Sequence, residues 1–185
     1  MEVHGISCNI GRREGVHPGF PETVRRLRPQ NWITHHGSLS GQRFSSLSQI
    51  NKGNVKNLKL PFTYAMGGME GGGIWPHGGL EGTPIVEDGF MYITDGWGTI
   101  YKLDVREGSA KLVWKMNPKT EHDYPAAVTC CGVNNCGVGL WRDKVVSHTL
   151  DGRLIITDKK SGEITFQRQV SNGYRLCDRG PAWQG

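Results

Sequence analysis

Three closely spaced cysteines carry the strongest chemical signal in the chain. Cys130 and Cys131 are adjacent, and Cys136 follows a polar turn within the stretch 129–137. Adjacent cysteines cannot reach the usual disulfide separation, so a bond between them would close a small ring with a distorted peptide. Strained disulfides are more often functional than structural. The alternative is that Cys130 and Cys131 pack together as two small apolar side chains.

Zinc binding is a second alternative for the same thiols. Cys130, Cys131 and Cys136 would need His122 or His148 as a fourth ligand. Adjacent cysteines are poor partners on one tetrahedral ion, and the paired Cys-x-x-Cys spacing of structural zinc sites is absent. The spacing therefore disfavours zinc, and we expect this chain to supply no metal ligands.

The glycine-rich stretch 66–82 is the next candidate for ligand binding. It holds eight glycines in 17 residues but lacks the Lys-Ser/Thr ending of a nucleotide-binding P-loop, so a phosphate cradle is not expected. Trp75 in this stretch is interpreted as a loop anchor rather than a ligand contact. His35, His36 and His77 share no ligand spacing and are expected to be solvated loop side chains.

Composition limits the classes of protein to which these residues can belong. Glycine makes up 27 of 185 residues and helical apolar periods are few, which favours short strands joined by tight turns. Arginines in the first 30 residues supply much of the net charge of +5, so nucleic-acid binding is not indicated. The five cysteines are an odd number, and no segment has the pattern of a transmembrane helix or a signal peptide.

The sequence divides into three parts. Residues 1–30 show neither a strand nor a helix period and predict a poorly ordered extension. Residues 31–170 predict the folded part, beginning with one helical turn near 52–58 and a strand within the apolar segment 58–64. Residues 171–185 lose the pattern and predict a truncated or irregular tail.

Glycine and aspartate recur at one fixed spacing in the folded part. Three pairs are each 54 residues apart: Gly98 and Gly152, Asp104 and Asp158, and Gly108 and Gly162. Each copy contains four short segments of strand pattern, which predicts two four-stranded antiparallel blades. An aromatic follows each Asp-x-x-x-Gly turn, Trp114 in the first copy and Phe166 in the second, and is expected to pack between blades. Trp97 and Trp141 are expected on strands. The predicted fold class is all-β, a partial β-propeller.

Together these features resemble the N-terminal part of quinoprotein alcohol dehydrogenases, the pyrroloquinoline quinone (PQQ) enzymes related to methanol dehydrogenase. The resemblance covers residues 31–170. Besides the repeat, it rests on these segments: Asn31-Trp32, 42–47, 49–51, Glu81-Gly82-Thr83-Pro84 and Cys130-Cys131. It implies that the chain forms about two blades of an eight-bladed propeller.

The resemblance assigns roles to four residues. Cys130 and Cys131 match a vicinal disulfide that covers one face of the PQQ ring, and Glu81 matches a glutamate at the rim of the cofactor. Cys136 stands where the family usually has an arginine, whose fork can neutralise a cofactor carboxylate. We therefore expect weaker cofactor binding, and thiol exchange between Cys136 and the vicinal pair.

The resemblance also implies the activity and partners of a complete enzyme. In the family, PQQ with a calcium or lanthanide ion oxidises an alcohol, and the electrons pass to a cytochrome c or a quinone in the periplasm. A homodimer is a possible assembly. The catalytic aspartate, the metal ligands and the further blades match no residue of this chain, so we expect an N-terminal portion that is inactive alone. The alternative is a non-catalytic propeller of the same repeat, a protein-interaction scaffold that would need neither the cysteine pair nor Glu81.

Overall fold

A computed structural model of the chain describes residues 29–37, 41–129 and 132–171. After one turn of 3₁₀ helix at Val55–Asn57, the described elements are strands with a single short helix. In chain order they are β1 (Glu70–Gly72), β2 (Trp75–His77), β3 (Ile85–Glu87), β4 (Phe90–Thr94), β5 (Ile100–Asp104), β6 (Lys111–Met116), α1 (Asp123–Val128), β7 (Gly139–Trp141), β8 (Lys144–His148), β9 (Arg153–Asp158) and β10 (Ile164–Gln169).

Two four-stranded antiparallel sheets contain eight of the ten described strands. Blade 1 has the order β3-β4-β5-β6, and blade 2 has the order β7-β8-β9-β10, so each strand pairs with its neighbour in sequence. The registers of the two blades correspond, since Lys102 pairs with Trp114 in blade 1 and Ile156 pairs with Phe166 in blade 2. The prediction of an all-β, partial β-propeller fold is confirmed.

The Asp-x-x-x-Gly turns have the predicted geometry. The Asp158 carboxylate accepts hydrogen bonds from the backbone amides of Lys160 and Ser161, at 2.9 and 2.8 Å. Gly162 and Gly108 have positive φ values of 80° and 67°, which glycine adopts without steric cost. The aspartate and the glycine therefore shape the turn as the sequence pattern predicts.

The contact between the blades centres on Trp114. Its indole packs on the turn of blade 2, where a Cβ added at Gly162 would lie 2.7 Å from the ring. The Trp114 Nε1 and Lys102 Nζ groups both donate hydrogen bonds to the Lys159 carbonyl, at 3.1 and 2.8 Å. Apolar residues of both blades form one core cluster beneath this contact: Ile85, Tyr92, Ile100, Trp114, Met116, Val145 and Ile155. The predicted packing of an aromatic between blades is confirmed for Trp114, whereas Phe166 is 45% exposed.

The segment before blade 1 differs in part from the prediction. The helical turn expected near 52–58 is present as the 3₁₀ turn. The prediction of a strand within 58–64 was wrong, because this segment forms no strand. The ring of Tyr64 packs edge-on against the ring of Tyr101 in blade 1. Trp32 instead pairs with Val86 through two backbone hydrogen bonds of 2.7 and 2.8 Å, which extends the edge of β3.

Part of the glycine-rich stretch forms the β1–β2 hairpin, which packs closely against α1. A Cβ at Gly72 would lie 2.6 Å from Cβ of Ala126, and a Cβ at Gly73 would lie 2.7 Å from the backbone nitrogen of Ala127. Both alanines belong to α1, a helix that the sequence did not predict. Trp97, expected on a strand, lies in the turn between β4 and β5, and its Nε1 donates to the Glu70 carbonyl at 3.0 Å.

Candidate functional site

The site is built around the described residues between α1 and β7, Thr129 and 132–138, called the loop below. The adjacent cysteines Cys130 and Cys131 lie outside the described residues, so their disulfide stays a prediction. The structure describes the residues on both sides of them. Thr129 leaves the helix in an extended conformation, and its amide donates to the Pro125 carbonyl at 3.1 Å. Gly132 follows with a positive φ of 97°.

The glycine-rich stretch 66–82 holds this loop at two points. On the N-terminal side, Trp75 Nε1 donates a hydrogen bond to the Thr129 carbonyl at 3.2 Å. On the C-terminal side, the Gly79 amide donates to the Val133 carbonyl at 2.8 Å, and Gly78 forms a parallel bridge with the same residue. Val133 is completely buried beside Trp97 and Ala126. Trp75 is thus the anchor that the sequence predicted.

Glu81 lies next to the same loop, although it is 53 positions from it in sequence. Its Oε1 accepts a hydrogen bond from Asn134 Nδ2 at 3.1 Å. A Cβ added at Gly79 would lie 2.0 Å from Asn134 Oδ1, so the bare glycine leaves the space that the amide occupies. The structure therefore brings Glu81 to the segment that carries the cysteines.

Asn135 and Cys136 continue the loop with opposite exposures. Asn135 is buried, donates from Nδ2 to the His148 carbonyl at 2.9 Å, and accepts from the Gly137 amide at 2.9 Å. Cys136 is an exposed free thiol. The buried amide fixes the loop to blade 2, while the Cys136 thiol faces solvent.

Sequence reasoning did not single out Asn134 or the stack of His122 on Trp97. The His122 and Trp97 rings lie 3.6 Å apart at 11°, so the histidine considered as a zinc ligand packs against an indole. The Asn-Asn pair after the cysteines was visible, but the partner of Asn134 depends on a long-range contact. Of the other histidines, His35 contacts Thr83 and Arg43, and His77 is exposed on β2.

The described residues suit the edge of a flat, polar cofactor. Gly132 lies beside Asn134 and Trp75, since a Cβ added there would be in ordinary contact with Asn134 Nδ2 and the Trp75 ring, at 3.6 and 3.9 Å. The Asn134 amide can donate to carboxylate or quinone oxygens, and the Glu81 carboxylate can accept. An amide donor beside a carboxylate acceptor is compatible in chemistry with the polar rim of PQQ. Within residues 29–37, 41–129 and 132–171, no cluster of three or more His, Cys, Asp or Glu side chains could hold a metal ion. No helix in the same ranges is long and apolar enough to cross a membrane.

Comparisons with known proteins identify the relatives of this chain. Residues 32–168 match the PQQ family described as glucose/ethanol/alcohol dehydrogenase, β-propeller domain. The dehydrogenase subunit of alcohol dehydrogenase (quinone) from Acetobacter aceti is 39% identical over 135 residues, covering 73% of this chain and 17% of that protein. Quinohemoprotein alcohol dehydrogenase ADH IIB from Pseudomonas putida is 35% identical over 157 residues, covering 83% and 21%.

Solved structures show the same relationship. Quinohemoprotein alcohol dehydrogenase ADHIIG from Pseudomonas putida HK5 has a TM-score of 0.72 and 33% identity, covering 81% of this chain and 20% of that one. A europium-containing methanol dehydrogenase has a TM-score of 0.70 and 26% identity, covering 82% and 25%. The chain spans about a fifth of the length of the curated relatives named above. Since the family match extends over most of the sequence, the chain belongs to the PQQ family of glucose/ethanol/alcohol dehydrogenase β-propeller domains.

Proposed function

We propose that this chain forms part of the cofactor site of a PQQ-dependent alcohol dehydrogenase. In this proposal, Cys130 and Cys131 form a vicinal disulfide that covers one face of the quinone, and Glu81 lies at its rim. The observation that carries the proposal is the hydrogen bond from Asn134 to Glu81, because it joins the proposed rim to the cysteine segment. The scaffold alternative gives no reason for this junction.

PQQ, when bound, supplies a quinone that accepts a hydride equivalent from an alcohol. The residues of this chain bind and orient the cofactor. Trp75 and Gly79 hold the two ends of the cysteine segment, and Asn134 and Glu81 present polar groups at the edge. We expect the isolated chain to be inactive, since the proposed contributions are binding and coverage.

The complete enzyme is proposed to act on a small alcohol with the help of a calcium or lanthanide ion. Its electron acceptor is proposed to be a cytochrome c or a quinone, and its location the periplasm. A homodimer is the proposed assembly. The alcohol substrate and the cytochrome c acceptor agree with the name of a relative, 1-butanol dehydrogenase (cytochrome c) from Thauera butanivorans. The metal ion, the periplasmic location and the homodimer are carried over from the family resemblance alone.

Cys136 provides the sharpest test of the proposed site. An arginine at this position would add charge-assisted hydrogen bonds to a cofactor carboxylate, so Cys136→Arg should tighten PQQ binding about tenfold. Binding is measured by quenching of tryptophan fluorescence during PQQ titration of the full chain with calcium. Asn57→Arg, on the exposed 3₁₀ turn, is the matched control for added positive charge.

The expected result is weak, saturable binding to the wild-type chain that is lost on dialysis and is tightened by Cys136→Arg alone. The proposal fails if titration gives no saturable quenching, or if Asn57→Arg tightens binding as much as Cys136→Arg. Counting thiols in the oxidised, unfolded chain tests the proposed disulfide. Three free thiols are expected, and five would contradict it.

A further inference from the structure

The side chain of Asn134 occupies space that is open because residue 79 is a glycine. A Cβ added at Gly79 would lie only 2.0 Å from the Oδ1 atom of Asn134. A Cβ added at Gly132 would lie 3.6 Å from its Nδ2 atom, which is an ordinary contact. The Gly79 amide also binds the Val133 carbonyl, immediately before Asn134. Backbone anchoring and side-chain space therefore come from the same glycine, which limits the positions open to the amide.

The amide of Asn134 in turn restricts Glu81. Glu81 is exposed, and an exposed glutamate ordinarily samples several rotamers. The hydrogen bond from Nδ2 to Oε1, at 3.1 Å, selects rotamers that direct the carboxylate toward the loop. An amide can donate this bond without adding charge, whereas a lysine or arginine would neutralise the carboxylate. The pair thus keeps a negatively charged acceptor in a fixed direction at the site.

We propose that Asn134 is a positioning residue, which orients the Glu81 carboxylate at the rim of the ligand site through a hydrogen bond whose geometry depends on the bare Cα of Gly79. The role of this carboxylate toward a ligand rests on the proposed function. The orientation itself is a property of the ligand-free chain, and the two can be tested separately.

The first experiment examines the ligand-free chain by ¹⁵N–¹H correlation spectra. The side-chain amide signals of Asn134 are expected to shift in Glu81→Ala and to stay in place in Glu107→Ala, a distant exposed glutamate of blade 1. Gly79→Ala should also shift the Asn134 signals, because the added Cβ would take the space of the Asn134 Oδ1 atom. Gly139→Ala is the matched control, since nothing lies within 4 Å of a Cβ added there. Unchanged Asn134 signals in Glu81→Ala would overturn the proposal.

The second experiment is a double-mutant cycle on PQQ binding to the full chain. Asn134→Leu should weaken binding about fivefold, the effect of one net hydrogen bond. In a Glu81→Ala background the same substitution should weaken binding less, because no carboxylate is left to orient and only the direct donation from the Asn134 amide to the ligand is lost. Equal weakening in both backgrounds would overturn the positioning role. If the wild-type chain shows no PQQ binding while the Asn134 signals respond to Glu81→Ala, the proposed function fails and the orientation stands.

Discussion

Two glycines at equivalent turn positions allow the contact between the blades to be measured separately from backbone strain. Gly162 and Gly108 both have positive φ, at 80° and 67°. A Cβ at Gly162 would lie 2.7 and 2.8 Å from Cδ2 and Cγ of Trp114, whereas nothing lies within 4 Å of a Cβ at Gly108. Alanine at either position meets the same conformational penalty, but only Gly162→Ala meets the indole.

The expected magnitudes follow from these distances. An L-residue in the left-handed region costs about 1–2 kcal/mol, which is the whole effect expected for Gly108→Ala. Gly162→Ala adds overpacking of about 1–3 kcal/mol. Trp114 cannot move aside freely, because it is 8% exposed and its Nε1 binds the Lys159 carbonyl. The free energy of unfolding should therefore fall by about 2–5 kcal/mol in Gly162→Ala.

Urea unfolding of the full chain, followed by tryptophan fluorescence, compares the two variants with the wild type. Gly162→Ala should lose more free energy of unfolding than Gly108→Ala. This difference should disappear when Trp114 is replaced by leucine, since the smaller side chain leaves room for the methyl group. Equal destabilisation by Gly162→Ala and Gly108→Ala would refute the conclusion that Trp114 packs tightly on this turn.

Two further predictions concern the turn of blade 1 and the anchor of the loop. Side-chain and backbone hydrogen bonds from Arg106 lower the pKa of Asp104 to about 2. The stability that the ionised Asp104 contributes is therefore present above about pH 4 and is lost as the pH falls toward about 2. Asp104→Asn should flatten this part of the curve of urea midpoint against pH, and parallel curves for variant and wild type would contradict the assignment. Trp75→Phe keeps an aromatic ring but removes the donor to the Thr129 carbonyl, so it should lower the free energy of unfolding by about 1 kcal/mol in the same urea assay. A Trp75→Phe chain as stable as the wild type would show that this bond does not anchor the loop.

The repeat could be predicted from sequence because its requirements are local. Gly98 and Gly152 adopt positive φ values of 85° and 82°, and Asp158 caps the amides of its own turn. Such positions restrict residue type wherever the turn occurs, so a constant spacing is visible in the sequence. The partial propeller followed from this spacing without knowledge of any long-range contact.

Helix α1 and the pairing of Asn134 with Glu81 could not be predicted in the same way. The helix is six residues long with a proline, too short to show an apolar period or to be stable by itself. It is held by close contact of its alanines with Gly72 and Gly73. The partner of Asn134 lies 53 positions away, and nothing in the local pattern indicates that separation.

The glycines of the stretch 66–82 have a role that composition alone does not indicate. Many glycines suggest a flexible segment, since glycine loses the most conformational freedom on folding. Several of these glycines instead sit where any side chain would collide with a neighbouring group: Gly68 against Asp95, Gly72 and Gly73 against α1, and Gly79 against Asn134. Glycine here permits close approach of neighbouring backbone and side-chain atoms. The stretch then anchors the loop on both sides of the cysteine pair, through Trp75 and Gly79. We therefore expect substitutions at Gly72, Gly73 and Gly79 to disturb the site more than substitutions at the exposed Ile74 between them.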